Sequence, residues 1–575
     1  MNSLIRERRV WEVASPPDDH LIQQIQAALS CSRAFAVVLA RRGGSHWERL
    51  IDPDARALHP PSAISGMEAG IARLVRAIET NERVFIHGDF DVDGLTGAAL
   101  LYQGLVPLFL PGRVKVEVGD RRHGHGLSQD FVRRATSEDF SLVITVDCGI
   151  SNHDEIAALN EAGIDTIVTD HHLPLPTLPS ACAVIDPHQP TDPYPNKHLA
   201  GVGVAYKLLC ALYEQLGRPA TPYPFLDLVA LGTIADLVPL ADKGEVENRA
   251  LVREGFSLLT RGEGSSLGLR VLMNRLNVNP KRITATDIGY LIAPKLNAAN
   301  RAGDPKVAFL LLTTSQIDRA EYLTDILLDY NRDREIAQRD LIAQAEEQIA
   351  TEGLDPREDG ILFLVGKYWN EGIIGLAASN LAERYRVPTV VISRGDRISR
   401  ASCRSIEGFD LGDCLSAHAD LLLQFGGHRM AAGFSVRNES LPQLQKEFLR
   451  YVAAQRSVAS GPAAREIDAE VTAKDLDLRL YTNLHSLSPY GPGNPHPLFL
   501  LRDCTFDGLS LVGARRQHVK GKVLQNGHTL PFIAFRMGPH VDLFEQGAGR
   551  SLVFRTRFDD WRGTLQAEAV DLVTD

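Results

Sequence analysis

Cysteine is sparse and shows no paired spacing. The 575 residues hold seven, Cys31, Cys148, Cys182, Cys210, Cys403, Cys414 and Cys504, and none forms a CxxC. This argues against structural zinc and against a disulfide framework, and sets a reducing compartment as the expectation. No apolar run approaches the length of a membrane span. The first residues, MNSLIRERRVWEVASPP, carry charges where a signal peptide needs its apolar segment. A soluble, cytoplasmic protein with no membrane partner is therefore expected. Positive charge is not in excess either. A formal net charge of -11 argues against a sequence-blind coat for duplex DNA, but leaves room for a nucleic-acid enzyme whose basic residues line a groove. The phosphate-loop and zinc-peptidase signatures GxxxxGK[ST] and HExxH are missing, as is a complete GxGxxG after a strand.

What is present is ordinary globular composition, 44% hydrophobic and 23% charged, in a chain long enough for several domains. The most informative stretch is VFIHGDFDVDGLTGAAL, 84–100. It opens as a buried strand, then places His87, Asp89, Asp91 and Asp93 before a small-residue helix. Alternate carboxylates repel one another unless a cation neutralises them. Taken alone, the segment fits a helix-capping turn as well as a cation site. An EF-hand is excluded, because a strand precedes DFDVDG and no Glu stands at the loop's twelfth position.

Further strands are expected at 114–118, 141–147, 165–170 and 181–186, with helical segments between them. That alternation predicts an α/β fold with a doubly wound parallel sheet, whose ligands bind beyond the carboxyl ends of the strands. Polar residues recur at that edge: His87 to Asp93, then Asp147, then Asp170, His171 and His172. Capping explains one such strand end, but three that converge are hard to explain that way. Asp236, in LDLVALGTIADLVPLAD, is by itself a helix-terminal Asp.

Apolar spacing over 316–352 predicts one helix of about 55 Å. A smaller α/β domain follows from about Gly360, with SRASCRS at 399–405 and FGGHRMAAGF at 425–434. Beyond about Gly461 short alternating segments predict a small β-barrel or sandwich. There Arg515, Arg516, His518, Lys520 and Lys522 cluster near Phe532 and Phe535, which suits a single-stranded nucleic-acid groove or a solvated basic face. The apolar run 32–39 carries no functional reading, and 53–61 reads as irregular linker.

With DFDVDG, VDCG, TDHH and GTIAD in this order, the chain resembles the DHH phosphoesterase superfamily. Adding WNEGIIG, PKLNAANR, SCRS, GGHRMAAG and PYGPGNP, it is similar to the RecJ family within it, single-strand-specific 5′ to 3′ exonucleases of DNA repair and recombination. The resemblance implies an N-terminal extension (1–66), a DHH catalytic domain (67–315), a connecting helix (316–353), a DHHA1 domain (354–460) and an OB-like domain (461–575). It implies two divalent cations, Mn²⁺ or Mg²⁺, on Asp91, Asp93, Asp147, His171 and Asp236, with His87 at a further ligand position and Asp147 bridging. His172 would contact the scissile phosphate and Asp170 would orient the imidazoles; Asp89 would be a ligand or a support. Arg301, Ser402, Arg404 and the segment Gly426, Gly427 and His428 would bind a terminal 5′-phosphate. Arg515, Arg516, Lys520 and Lys522 would hold the strand. The chain departs from the family at WNEG, AANR and His125, where WHPG, AAGR and Tyr are commoner.

The implied partner is single-stranded DNA with a 5′ end, with a single-strand-binding protein and a repair helicase beside it. Two other readings are a DHH phosphodiesterase of short oligonucleotides or cyclic dinucleotides, and a non-catalytic replication scaffold. The β domain disfavours the first and the full ligand set the second. A chain ending near Gly461 is expected to keep hydrolysing short oligonucleotides, provided that its first two domains stay folded.

Overall fold

The computed structural model describes residues 1–575 except 6–9, 52, 122–123, 457–463, 546–548, 560–562 and 575. The expected end of the second domain, 460/461, lies outside the described residues.

The first sheet is parallel throughout, in the spatial order Val114–Val118, Val84–Gly88, Leu142–Val146, Asp165–Thr169, Ala183–Ile185. Its strands are apolar on both sides because both faces are covered. Val84, Ile86, Leu142 and Ile144 face one core, with the helices Val92–Leu105 and Gly201–Gln215. Phe85, Val143 and Val168 face the other, with Gln129–Ser137 and His153–Glu161. This is the expected doubly wound sheet. The connections leave in opposite directions from between Val84–Gly88 and Leu142–Val146, and that switch point is where such folds bind ligands.

A single helix, Ile317–Thr351, leads away from this unit. Ala320, Leu323 and Leu327 belong to the first core, whereas Leu341, Ala345 and Ile349 pack on the second sheet. The helix is about 52 Å long at 1.5 Å per residue. The second sheet runs Gln424–His428, Ala431–Arg437, Ile398–Arg404, Thr389–Arg394, Leu362–Lys367, antiparallel except for the last pair.

The strands Phe499–Val512, His518–Gln525, His528–Ala534, Thr564–Thr574 and Arg550–Asp559 close on themselves as a five-stranded barrel. Its interior contradicts one expectation. Phe532 is fully buried and stacks on Phe544, so it offers no surface to a base, whereas Phe535, past the end of its strand, remains exposed.

The chain's beginning belongs to this barrel. Asn2 and Ser3 pair with Thr574 and Val573 of the last strand, Trp11–Val13 pairs with Arg465–Ile467, and Trp11 Nε1 donates to buried Asp571 at 2.8 Å. The run 32–39 lies in the helix Arg33–Gly43, capped by Ser32, and buries Phe35 and Leu39 against barrel residues. Segment 53–61, expected to be irregular, contains the 3₁₀ turn Ala55–Ala57 and is anchored: Lys207 Nζ donates to His59 O at 2.7 Å, and His59 N to Glu247 Oε1 at 2.8 Å.

Candidate metal centre

Three strand ends of the first sheet deliver the acid cluster. Asp89 follows Val84–Gly88, Asp147 follows Leu142–Val146 and Asp170 follows Asp165–Thr169, and each backbone N–H still donates to the neighbouring strand. Asp91 caps the helix Val92–Leu105, its carboxylate accepting from the N–H groups of Asp93 at 2.9 Å and Gly94 at 3.2 Å. The capping and cluster readings of DFDVDG are therefore both realised by one side chain. Asp93 accepts from Gly201 N at 2.7 Å and Val202 N at 2.8 Å, the start of another helix. Asp147 has φ 61, a left-handed conformation that Asp tolerates better than most residues. A side chain at Gly201 would come within 2.5 Å of Asp147 Cβ, so this glycine lets helix and carboxylate meet.

Three triads of potential ligand atoms result: Asp89, Asp91 and Asp147; Asp147, His171 and His172; and Asp93, His171 and Asp236. Asp147 and His171 each belong to two. His171 Nε2 lies 3.0 Å from Asp147 Oδ1, 3.7 Å from Asp236 Oδ2 and 3.9 Å from Asp93 Oδ2. Asp147 Oδ1 is nevertheless buried without a hydrogen-bond partner. Burial raises Asp147 well above the usual carboxylate range, with the charges of Asp93, Asp91, Asp89 and Asp236 adding to it. The same causes lift Asp236 to about 9 and, through Asp91, Asp93 to about 7. Burial and the charge of His172 lower His171 to about 4, so its imidazole is neutral at pH 7 and has a lone pair to offer. Unpartnered, mutually repelling oxygens around a neutral imidazole fit a pair of divalent cations.

Asp170 is buried and accepts from Ile150 N, His171 N, His172 N and, at 2.8 Å, His172 Nδ1. Burial opposes ionisation, but these bonds and the two imidazoles hold its pKa below the usual range. His87 is in none of the three triads: its buried ring packs edge-on against Phe131, 4.6 Å between centroids.

The raised carboxyls set a pH dependence. A group that holds its proton more tightly when folded contributes stability at low pH and loses it as the pH rises through its folded pKa. In the cation-free protein the melting temperature should fall as the pH rises towards 9, through Asp93 up to about pH 7 and through Asp236 up to about 9, and Mn²⁺ should reverse most of the fall between 7 and 9. A cation-free melting temperature that is flat or rising over that range would contradict the carboxylate repulsion.

Beside the acids stands a cluster of arginines, Arg301, Arg121, Arg334 and Arg404. Arg301 is pulled down to about 9 by burial and by the charges of Arg121, Arg334 and Arg404. Its Nη1 donates to Gly372 O at 2.8 Å, which joins the first unit to the helix Glu371–Tyr385 of the second. Arg404 donates to Ser379 Oγ at 3.0 Å and Ser402 Oγ at 3.1 Å. Gly426 and His428 stand in register with these residues, across Gly433 from Ser402 and across Ala431 from Arg404, on the exposed edge strand. The small residues between leave that face open.

Arg121 has no functional reading in the sequence and His125 only that of a departure from the family, although both follow a strand end, Val114–Val118, where the same rule applies. Arg121 lies over the Phe90 ring at 4.2 Å, in the field of Asp89 and Asp91. His125 Nδ1 is 3.1 Å from Asp89 Oδ1; burial opposes its charge, but Asp89 holds its pKa at about 9. Arg334, from the connecting helix, had no sequence signal. On the barrel, Lys520 and Lys522 point to one side of His518–Gln525, while Arg515 and Arg516 occupy the turn before it. Lys520 is 3.9 Å from Asp559, and Phe535 is flanked by His518 and Arg557.

A parallel sheet with this acid cluster, a second mixed sheet and a closed barrel define a DHH-type protein. Residues 83–233 match the DHH family, N-terminal domain, residues 358–454 the DHHA1 domain and residues 467–571 the RecJ OB domain. The single-stranded-DNA-specific exonuclease RecJ of Salmonella typhimurium is 33% identical over 93% of this chain and 92% of its own length. The crystal structure of RecJ from Thermus thermophilus in complex with Mn²⁺ superposes with a TM-score of 0.83 at 30% identity, covering 99% of this chain and 80% of that one. A Mg²⁺ complex from the same organism gives a TM-score of 0.77 at 27% identity, covering 99% of this chain and 79% of that one. The chain belongs to the RecJ family.

Proposed function

We propose that this chain is a metal-dependent exonuclease specific for single-stranded DNA, which works from a 5′ end towards 3′ and releases 5′-mononucleotides in DNA repair and recombination. The observation that carries this reading is adjacency: Asn300, next to Arg301, donates to Phe90 O at 2.9 Å beside Asp91 and accepts from Arg121 N at 3.1 Å, while Arg301 itself donates to Gly372 O at 2.8 Å, so the arginines stand next to the acids. An end phosphate and the bond next to it are served by neighbouring groups.

Asp91, Asp93, Asp147, His171 and Asp236 would hold two divalent cations, with Asp147 shared; His87, whose ring nitrogens are buried without a hydrogen-bond partner, stands at a further ligand position, and Asp89, which forms a triad with Asp91 and Asp147, is a ligand or a support. Carboxylates with a single imidazole and no thiolate favour Mn²⁺ or Mg²⁺. When bound, such a pair supplies Lewis-acid polarisation of the phosphoryl group and a more acidic water. His172, its Nδ1 held by Asp170, presents its other nitrogen to a phosphate oxygen. Burial opposes the charge on His172, but Asp170 raises its pKa and keeps that nitrogen a donor. Arg301 and Arg404, with Ser402, bind the terminal phosphate through charge-assisted bonds, and the exposed Gly426, Gly427 and His428 border it. Arg515, Arg516, Lys520 and Lys522 with Phe535 hold the strand farther along. A single-strand-binding protein and a repair helicase, which coat and generate 5′-ended strands, are the protein partners. The seven free thiols fit the cytoplasm.

Removing the 5′-phosphate should slow the wild-type enzyme by roughly ten- to a hundredfold, the worth of one or two charge-assisted hydrogen bonds. It should matter much less to Arg404→Ala. Equal sensitivity of both proteins, measured on strands labelled at the 3′ end, would remove Arg404 from end binding.

A further inference from the structure

The segment PYGPGNP, 489–495, belongs to the barrel half of the chain, yet it sits on the loop that follows Asp236. Gly491 and Asn494 exchange backbone hydrogen bonds of 3.0 and 3.1 Å and make a tight turn. Asn494, 1% exposed, locks the turn: its Nδ2 donates to Leu487 O at 2.8 Å and Pro489 O at 2.9 Å, and its Oδ1 accepts from Arg42 at 2.9 Å. The turn grips the first unit through Leu240 N, which donates to Pro492 O at 2.8 Å. Gly493 is required for the approach, and Gly491 eases it. A Cβ at Gly493, φ +69, would lie 1.9 Å from Ala241 O, and one at Gly491 would lie 2.9 Å from Leu240 Cδ1.

The gripped loop is short. Asp236 ends the helix Leu226–Ala235, Leu237 follows with φ 63, and Leu240 and Ala241 are already under the turn. A second fastening lies just beyond, where Arg249, fully buried, donates to Leu50 O at 2.6 Å and to Ser486 O at 2.8 Å. Asn248 holds Pro239 O at 2.8 Å from the same helix, Glu247–Arg261. The Asp236 carboxylate, by contrast, is held by no hydrogen bond among those found in the described residues, so its position depends on the backbone that carries it.

We infer that the 489–495 turn is a positioning element for the cation site, which fixes Asp236 opposite Asp93 and His171 by clamping Leu240 and Ala241. This inference rests on Asp236 being a cation ligand. It makes the barrel more than a strand holder, because a ligand of the centre is set in place from the far end of the chain.

The test is Mn²⁺ binding to the full-length protein, followed by the electron paramagnetic resonance of free Mn²⁺. Gly493→Ala should weaken one of the two sites about tenfold, in the range seen when outer supports of metal ligands are lost, and leave the other unchanged. Gly491→Ala, which meets only the end of a leucine side chain, should act in the same direction and less strongly. Gly527→Ala strains a barrel turn of similar φ, +78, that touches nothing, and should leave both sites as they are. In an Asp236→Ala background the Gly493→Ala effect should vanish, since a double-mutant cycle isolates what passes through Asp236. If Asp236→Ala binds Mn²⁺ like wild type, the ligand reading itself fails. If Asp236→Ala is impaired while both glycine variants melt cooperatively and bind both ions normally, the clamp is overturned. It is equally overturned if the Gly493→Ala loss persists without Asp236.

Discussion

Replacing Asp147 with alanine should reduce hydrolysis of single-stranded DNA by about a thousandfold or more, ~4 kcal/mol in barrier. Asp147 is the one carboxylate that belongs both to the triad with Asp89 and Asp91 and to the triad with His171 and His172, so its loss takes a ligand from each side. The fold should survive, because Asp147 Oδ1 has no hydrogen bond to lose and its charge is repelled by four neighbouring carboxylates. Alanine at φ 61 gives back part of that relief, about 1 kcal/mol for a left-handed residue. Asp147→Asn, which tolerates the conformation, should therefore be equally inactive and melt higher than wild type without cations. Activity within about tenfold of wild type, roughly 1.4 kcal/mol, would rule out a shared Asp147.

The second large effect concerns stability. Deleting residues 1–50 should leave the carboxy-terminal barrel unable to fold. The deletion removes Ile22, Ile25, Phe35, Leu39 and Trp47 from one apolar core, and leaves buried Asp571 without the indole N–H that it accepts. Core truncations cost roughly 2–5 kcal/mol each, against a total stability of about 5–15 kcal/mol for a domain. Trp11→Ala alone should cost about 4 kcal/mol and raise hydrogen exchange in Thr564–Thr574 and Arg550–Asp559 before it does so in Val84–Gly88. Unchanged protection of the barrel strands in the deletion would refute the shared core. The same contacts alter the expectation for a chain ending near Gly461, a residue outside those described. Such a chain would leave the helices Asp19–Leu29 and Arg33–Gly43 with a bare apolar face and would release the turn that grips Leu240. Removing both ends avoids the bare apolar face but still releases Leu240, so the doubly truncated chain should hold its cations more weakly than the full chain.

The strands around the acids were readable because the information is local: Val84 to Ile86 and Leu142 to Val146 are apolar runs, and their polar ends recur at one edge. The long helix was readable for the same reason. The first 50 residues were not, since the partner of Trp11 lies 560 positions away and Phe35 shares a core with residues from both ends of the chain, and no local period announces them. Nearness in sequence misplaces Phe532, although the alternation Leu530, Phe532, Ala534 points it inward. In the site, Asp and His at strand ends carried the signal, whereas Arg121 comes only after Gly119 and Asp120 have left the strand, and Arg334 converges only through tertiary packing. His87 carries no local signal of its own beyond its place before the acids: its ring packs on Phe131 and both its nitrogens are buried without a hydrogen-bond partner.

In the proposed mechanism one site combines a two-cation acid centre with a binding place for a 5′ end. This is tested most directly by incubating the protein and Mn²⁺ with three substrates: a long 5′-phosphorylated single strand, the corresponding blunt duplex and a dinucleotide. Mononucleotides should be released progressively from the 5′ end of the single strand, with little from the duplex, a minor rate on the dinucleotide, and none with chelator present. Preference for the dinucleotide, or release that persists in chelator, would contradict that mechanism.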